Sequence, residues 1–405
     1  MSLHINGAIL PLSGKNCHMM SEKKVRIGIV GLGNMGRFHA DYLLKGEVAR
    51  AQLTAVSDAF PGSLESYADR VSVFESCEEM VRSGKIDALL IATPHYFHTV
   101  QGIDALHQGL HVLTEKPISV HKADCERLIA AHNKPGQVFA AMFQLRTDPK
   151  FEKIKKLISS GEMGQIVRVN WINTDWFRTE AYYASGGWRA TWKGEGGGVL
   201  LNQCPHNLDL LQWFCGMPSK VRGFAQLGRY HDIEVEDNVS AFLEYSNGAT
   251  GIFVTSTGET PGTNRLEIAG TRGRLVLEDG IISFTRNETD MHIFCEESKI
   301  GFAKPEVWEV DIPYADTGAQ HKRITQNFVD AILDGASLIA PAREGIHSVE
   351  LANSILYSSL IGLTVELPLD SKAYEDKLKE LIAQSTHIKQ KREVEGGDFS
   401  KSFTK

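Results

Sequence analysis

The stretch that decides the fold is KVRIGIVGLGNMGRFHADYLLKG, residues 24–46. Lys24–Gly31 is a short β-branched apolar run, the composition of a strand buried on both faces in a parallel sheet. It breaks at Gly31-Leu32-Gly33-Asn34-Met35-Gly36 and continues in a helical pattern with Phe38, His39 and Leu43 along one side. Strand, GxGxxG and helix in that order set a helix N-terminus against a pyrophosphate. Gly31 makes the tight turn, Gly33 lets backbone approach phosphate, and Gly36 lets helix and strand pack closely.

A glycine motif alone is weak, so its surroundings matter. A second apolar strand, LTAVSD, ends at Asp58, 22 residues past Gly36. That is close to the roughly 20 at which an acid meets the ribose 2′-hydroxyl. An aspartate there repels a 2′-phosphate, so NAD is expected and NADP disfavoured. Two more apolar runs stop at Thr93-Pro94-His95, with His98 three residues on, and at Glu115-Lys116-Pro117. In an open parallel sheet the ligand crevice lies beyond the carboxyl ends of the strands. Thr93, Pro94, His95, His98, Glu115 and Lys116 are therefore expected at the cofactor, beside Asn34 and Met35. Taken alone, Lys116 reads either as a solvated loop lysine or as a buried one aimed at the reacting atoms.

The whole chain has 405 residues, 42% hydrophobic and 23% charged, which suits two globular domains with large cores. Its net charge of −7 argues against nucleic acid or an anionic membrane as partner. Six scattered cysteines with no CxxC pair fit free thiols in a reducing cytoplasm, with no disulfide framework and no metal site. No apolar run approaches the ~18 residues of a membrane span. Residues 1–22 read as a disordered extension, 23–145 as the dinucleotide-binding domain, 146–370 as an α/β domain for substrate and oligomer contacts, and 371–405 as a charged tail that starts as a helix.

The motifs VRIGIVGLGNMG (25–36), VSD (56–58), IATPHYFH (91–98), EKP (115–117) and GGG (196–198) followed by His206 resemble the Gfo/Idh/MocA family of NAD(P)-dependent oxidoreductases. The resemblance implies a Rossmann domain followed by an α/β domain with a large, open, mostly antiparallel sheet, often the oligomer interface. A homodimer or homotetramer through that sheet is the expectation. It also implies a site completed by the EKP lysine, Lys116, and by a segment usually reading D-x-G-x-H. Here His206 holds the histidine position, Asn202 the aspartate position and Cys204 the glycine position.

The second half fits this from its own residues. Asp148-Pro149 is a helix start. IVRVNWI (166–172) alternates as a strand does, and Asn247-Gly248 between two strand-like runs signals a hairpin. The helical patterns at Ile324/Phe328/Ile332 and Val349/Ala352/Leu356 are expected to cover or flank the second sheet.

Oxidising a secondary alcohol removes a hydroxyl proton as hydride leaves carbon. An imidazole titrating near working pH is a suitable base, and an ammonium stabilises the oxygen. His206 and Lys116 are assigned those roles, with Asn202 either binding a substrate hydroxyl or fixing the His206 tautomer. Pro205 either interrupts a helix or starts one, and Asp209 is read as stabilising that helix N-terminus or, alternatively, as replacing the missing charge beside His206. Gln144 and Arg146 are placed at the domain junction, within reach of cofactor or substrate.

Between Trp171 and Trp192 lie seven aromatics in 22 residues, against 8% over the chain. From Asp175 this region lacks clean periodicity and reads as a long ordered loop. Trp176, Arg178, Tyr183, Arg189 and Trp192 are expected to line a pocket for the faces and hydroxyls of a ring. The segment resembles family members acting on pyranose-type sugars, levoglucosan among them, and on inositols. The expected function is thus hydride transfer between a sugar or cyclitol secondary hydroxyl and NAD. The alternatives are an NAD-retaining glycosidase working by transient oxidation and elimination, and a non-catalytic dinucleotide sensor. Lys116 and His206 weigh against the sensor.

Overall fold

The computed structural model describes residues 23–315 and 318–389. The expected N-terminal extension, 1–22, lies outside the described residues, as do 390–405 of the expected tail.

The first sheet is parallel and runs in the order β3 (Ser72–Phe74), β2 (Ala51–Ser57), β1 (Val25–Val30), β4 (Ala88–Ile91), β5 (His111–Thr114), β6 (Phe139–Ala141). This is the doubly wound order in which the strand sequence reverses beside β1, leaving a crevice at the carboxyl ends of β1 and β4. Strands β1, β4 and β5 are almost wholly buried, which explains why they read as unbroken apolar runs.

The second sheet has nine strands. β7 is Ile166–Asn173, β8 Lys220–Leu227, β9 Glu236–Glu244, β10 Thr250–Ser256 and β11 Asn264–Gly270. β12 is Gly273–Glu278, β13 Ile281–Asn287, β14 Val307–Asp311 and β15 Val365–Glu366. Their order is β14-β13-β12-β11-β7-β10-β9-β8-β15, antiparallel except where β7 pairs β10. Asn247-Gly248 forms the β9–β10 turn as expected, with Gly248 at φ 86°.

Side chains alternate across this sheet. Val239, Ala241 and Leu243 of β9 face the helices, while Phe242 faces outward. The helices Pro149–Ser159, Pro205–Cys215 and Gly345–Ile361 supply the inner layer. The outer face leaves Phe224 58% and Ile252 43% exposed, with Ile172 and Phe242 beside them.

Two expectations about later elements change. The helix Gln320–Asp334 packs on the first core through Ile324, Phe328 and Val329, and so flanks the Rossmann sheet. The apolar face of that amphipathic helix, Ile324, Phe328 and Val329, is buried in the first core. The stretch from Ser371 starts as the expected helix, but that helix is docked on the second core. Ser371–Gln384 is a helix capped by Asp370, with Tyr374 and Leu378 buried in the second core. Its charges lie on the outer face of an amphipathic helix.

Candidate active site

The glycine loop has the shape a dinucleotide needs. Gly31 has φ 87°, and a side chain there would meet the Ala92 carbonyl at 2.7 Å. A Cβ on Gly36 would fall 1.8 Å from the Gly31 carbonyl oxygen, whereas nothing lies within 4 Å of the corresponding point on Gly33. The helix Asn34–Leu44 starts with no side-chain cap and no acid in its first turn, so its N-terminal N–H groups are free for an anion. Asp58 stands across this loop, accepting hydrogen bonds from Leu32 N at 2.6 Å and Phe60 N at 2.8 Å. An open backbone cradle with a carboxylate fixed at its lip suits NAD.

Three strand-end residues behave differently from expectation. His98 is fully buried, with Nδ1 2.8 Å from the Pro117 carbonyl and Nε2 2.7 Å from that of Thr93. It ties two strand ends together and has no ring nitrogen left for a cofactor. Glu115 is committed to protein: Oε1 lies 2.7 Å from His39 Nε2, and Oε2 accepts from Lys116 N at 3.2 Å. Burial works against its ionisation, but the His39 hydrogen bond and neighbouring positive charge hold its pKa down to about 2. His39 continues through Tyr42 to Thr325, which anchors this strand end to the helix Gln320–Asp334. His95 opens the helix His95–His107, packs edge-on against Trp188, and has a buried Nδ1 without a partner. Thr93 donates its hydroxyl to Gln101 at 2.7 Å.

Lys116 reaches out of the first domain. Its Nζ donates to the backbone carbonyl of Asn202 at 3.0 Å, and burial lowers its pKa against the opposing pull of Glu115 and Glu195. The quoted GGG explains how Asn202 arrives there. Glu236 Oε1 accepts from Gly198 N at 2.8 Å and Leu200 N at 3.1 Å, and a Cβ on Gly198 would strike the Glu236 carbonyl at 1.9 Å. The chain then makes one helical turn, Val199–Asn202, and starts a separate helix at Pro205. Pro205 is therefore the first residue of Pro205–Cys215, where its missing N–H costs nothing.

His206 is 7% exposed in the first turn of that helix. Its pKa is driven well below the ordinary imidazole value by burial first and by the Lys116 ammonium second. Its partner is Gln144, whose amide nitrogen lies 3.1 Å from Nε2. His206 Nδ1 and Gln144 Oε1 are both buried without a hydrogen-bond partner.

Asn202 does not fix the His206 tautomer, because the break at Cys204 puts the two on different helices. Its side chain donates to Glu195 Oε1 and accepts from Tyr182 OH at 3.3 Å and Gln203 Nε2 at 3.2 Å. Asp209 does not cap the helix. It grips Arg146 through two hydrogen bonds of 2.8 and 2.7 Å, both side chains being 1% exposed. Arg146, also bonded to Glu344, is thus a buried strut whose guanidinium is held by two carboxylates. Cys204 is buried and packs against Thr255.

The aromatic loop divides into core and wall. Trp192 and Tyr183 belong to the second core, where the Tyr183 hydroxyl meets Thr257 at 2.7 Å; Tyr183 also lines a cavity with Glu180, Arg189 and Lys389. The loop holds one short helix, Glu180–Ala184. Trp176, Tyr182 and Trp188 remain partly exposed. The Arg178 guanidinium lies 5.5 Å from the Trp176 ring and 5.1 Å from Tyr182, and Arg189 lies 4.5 Å from Tyr182 and 4.9 Å from Trp188. Arg189 also donates to the Tyr182 hydroxyl at 2.8 Å. Sequence reasoning passed over Tyr182 and Glu195. The glycines around Glu195 read as backbone devices and hid the acid among them.

The known proteins that resemble this chain bear on the same regions. Residues 25–143 match the model of an oxidoreductase family with an NAD-binding Rossmann fold, and 151–276 match the GFO/IDH/MocA C-terminal domain. A 1-carboxy-3-chloro-3,4-dihydroxycyclohexa-1,5-diene dehydrogenase of Comamonas testosteroni is 31% identical over 229 residues, 55% of this chain and 56% of that protein. The chain thus spans little more than half the length of that relative. An inositol 2-dehydrogenase of Rhizobium meliloti is 25% identical over 82% of this chain and 96% of its own. The WlbA dehydrogenase of Bordetella pertussis, solved with NADH and UDP-GlcNAcA, superposes with a TM-score of 0.72 at 27% identity, covering 86% of this chain and 100% of that one. The two matches together span most of residues 25–276, and the chain belongs to the Gfo/Idh/MocA family of oxidoreductases.

Proposed function

We propose that the protein is an NAD-dependent dehydrogenase acting on a secondary hydroxyl of a sugar or cyclitol ring. The observation that carries this reading is that the Lys116 ammonium, from the end of β5, acts electrostatically on the buried His206 imidazole of the second domain while its Nζ donates to the Asn202 carbonyl. The relatives named as inositol and dihydroxycyclohexadiene dehydrogenases, and the one solved with a nucleotide sugar, support a hydroxylated ring as substrate.

NAD, when bound, supplies the acceptor for the hydride lost from the carbinol carbon. The chain's own residues manage the proton and the oxygen. Neutral His206 takes the hydroxyl proton, and its lowered pKa keeps the ring in the accepting form across the physiological range. Lys116 holds the same oxygen and stabilises its developing negative charge. Gln144 selects the form of the ring. With its nitrogen on Nε2, the neutral histidine carries its proton on Nδ1. With the amide turned, its oxygen accepts from Nε2–H and Nδ1 is the bare base; the imidazolium formed by taking the hydroxyl proton on Nδ1 returns that proton when the reaction runs toward the alcohol. Trp176, Tyr182 and Trp188, with Arg178 and Arg189, form the wall that receives the ring.

We further propose that the exposed apolar face around Phe224, Phe242 and Ile252 is covered by a second copy of the chain. Five described cysteines are free thiols and no described helix is long and apolar enough to cross a membrane, which accord with a cytoplasmic enzyme. The test is a panel of sugars, inositols and uronic acids with NAD and NADP in parallel, read as absorbance at 340 nm. Turnover by the native protein that falls at least 100-fold in His206→Ala is expected. Full turnover in that variant refutes the assignment.

A further inference from the structure

Glu195 is a carboxylate that the reaction above does not use, and it is 1% exposed. Both its oxygens accept hydrogen bonds, Oε2 from Ala190 N at 2.6 Å and Oε1 from the Asn202 amide. Among the described residues no lysine or arginine forms a salt bridge with it. An acid taken out of water without an ion-pair partner is costly to keep, and such groups concentrate at functional sites.

Among the described residues its hydrogen-bonded paths lead to two charged groups, the Lys116 ammonium through Asn202 and the Arg189 guanidinium through Asn202 and the Tyr182 hydroxyl. Asn202 is the bridge: its side-chain amide donates to Glu195, and its backbone carbonyl accepts from Lys116 Nζ at 3.0 Å. Tyr182 OH and Gln203 Nε2 occupy the other end of the Asn202 amide, so the side chain cannot swing away from Glu195. We propose that Glu195 is the positioning residue for Lys116: acting through Asn202, it aims the ammonium and keeps it protonated in a desolvated cleft. This rests on the reading of Lys116 as a catalytic residue.

Burial raises the Glu195 pKa, while Arg189 and the hydrogen bonds from Ala190 N–H and the Asn202 amide favour its charged form. Burial lowers the Lys116 pKa, and Glu115 and Glu195 pull it back up. The groups facing Lys116 from neighbouring elements are Glu115 on β5, Arg189 on the aromatic loop, and the imidazoles of His95 and His206, with His98, His321 and Cys204 behind them. Facing Glu195 are Arg189, Lys389 and Glu236. Arg189 opposes protonation of Lys116, which leaves Glu115 and Glu195 as the balancing acids. Glu115 already accepts from His39, whereas Glu195 has no ionic partner within bonding distance.

The experiment reads Lys116 directly in the cofactor-free protein. The rate of Lys116 acylation by acetic anhydride is followed by peptide mass spectrometry across pH 6–11, and the pH profile of kcat is measured in parallel. Glu195→Gln is expected to lower the Lys116 labelling midpoint by about one unit and to move the lysine-dependent limb of kcat with it. The swap Glu195→Gln/Asn202→Asp returns a carboxylate to the same dyad and is expected to restore the midpoint. Asn202→Asp alone sets two buried carboxylates side by side, which share one proton, and is expected to leave the midpoint near its native value. An unchanged midpoint in natively folded Glu195→Gln, or no recovery in the swap, overturns the proposal. Should Glu195→Gln fail to fold, Glu195→Asp, whose shorter side chain releases the Asn202 amide, is expected to lower the midpoint, and an unchanged midpoint there overturns the proposal equally. Lys116→Ala separates the two readings: full turnover in that variant refutes the catalytic role itself, whatever the labelling shows.

Discussion

Replacing Asp209 by asparagine tests whether the buried strut beneath the site positions the chemistry. The carboxylate holds Arg146 through two hydrogen bonds of 2.8 and 2.7 Å, and neither side chain sees more than 1% of solvent. Removing one partner of a buried pair costs about 3–5 kcal/mol, since the surviving charge cannot be rehydrated. Arg146 retains Glu344 at 2.5 Å, a side chain 36% exposed and so less effective as a counter-charge. The expected loss is therefore at the lower end, about 3 kcal/mol, or roughly a 100-fold fall in the folded-to-unfolded ratio. Trp213 lies 5.5 Å from the Arg146 guanidinium, so its fluorescence during urea unfolding reports on this site. His206 precedes Asp209 by three residues on the same helix, and small misplacements of catalytic groups are expensive. Turnover should drop about tenfold while NAD affinity holds. The double variant Arg146→Met/Asp209→Leu should recover most of the stability but not the turnover. A loss below about 0.5 kcal/mol in Asp209→Asn, or a double variant no more stable than the single, would refute the reasoning.

Four further outcomes are expected. Gly36→Ala would set a methyl 1.8 Å from the Gly31 carbonyl, displacing the loop at about 1–3 kcal/mol, and should weaken NAD binding by calorimetry at least tenfold. Asp58→Asn should cost about 1.5–3 kcal/mol of NAD discrimination and move the NAD/NADP ratio of kcat/KM toward NADP. His95, His206 and His321 are buried with lowered pKa values, that of His321 at about 3 through burial. The unfolded chain therefore binds more protons below about pH 6.5. Stability is full above that value and is lost as pH falls toward the folded values, by about 2 kcal/mol per imidazole at pH 5; equal urea midpoints at pH 7 and pH 5 would contradict this. Phe224→Glu with Ile252→Glu should reduce the particle mass by light scattering if the open face is an interface between copies, and an unchanged mass would count against that interface.

The linear chain determined the elements whose residues are constrained by their immediate neighbours. Each glycine of the 31–36 loop has the environment its spacing demanded, Asp58 stands across from it, and Asp148, Pro149 and Gly248 occupy the cap and turn positions their chemistry favours. Lys116 and His206 were also legible, through motif and through the chemistry that alcohol oxidation needs. The tertiary structure alone decided which partners those side chains keep. Gln144 holds His206 from 62 positions away, Arg146 takes Asp209 from 63, and Glu115 faces His39 across 76. No periodicity encodes such pairings, because a buried polar group is satisfied by whatever donor or acceptor the packing brings within about 3 Å. The same reason hid Glu195 and the burial of Trp192: a side chain's role depends on which face of a fold it meets, and that is settled only when both cores close.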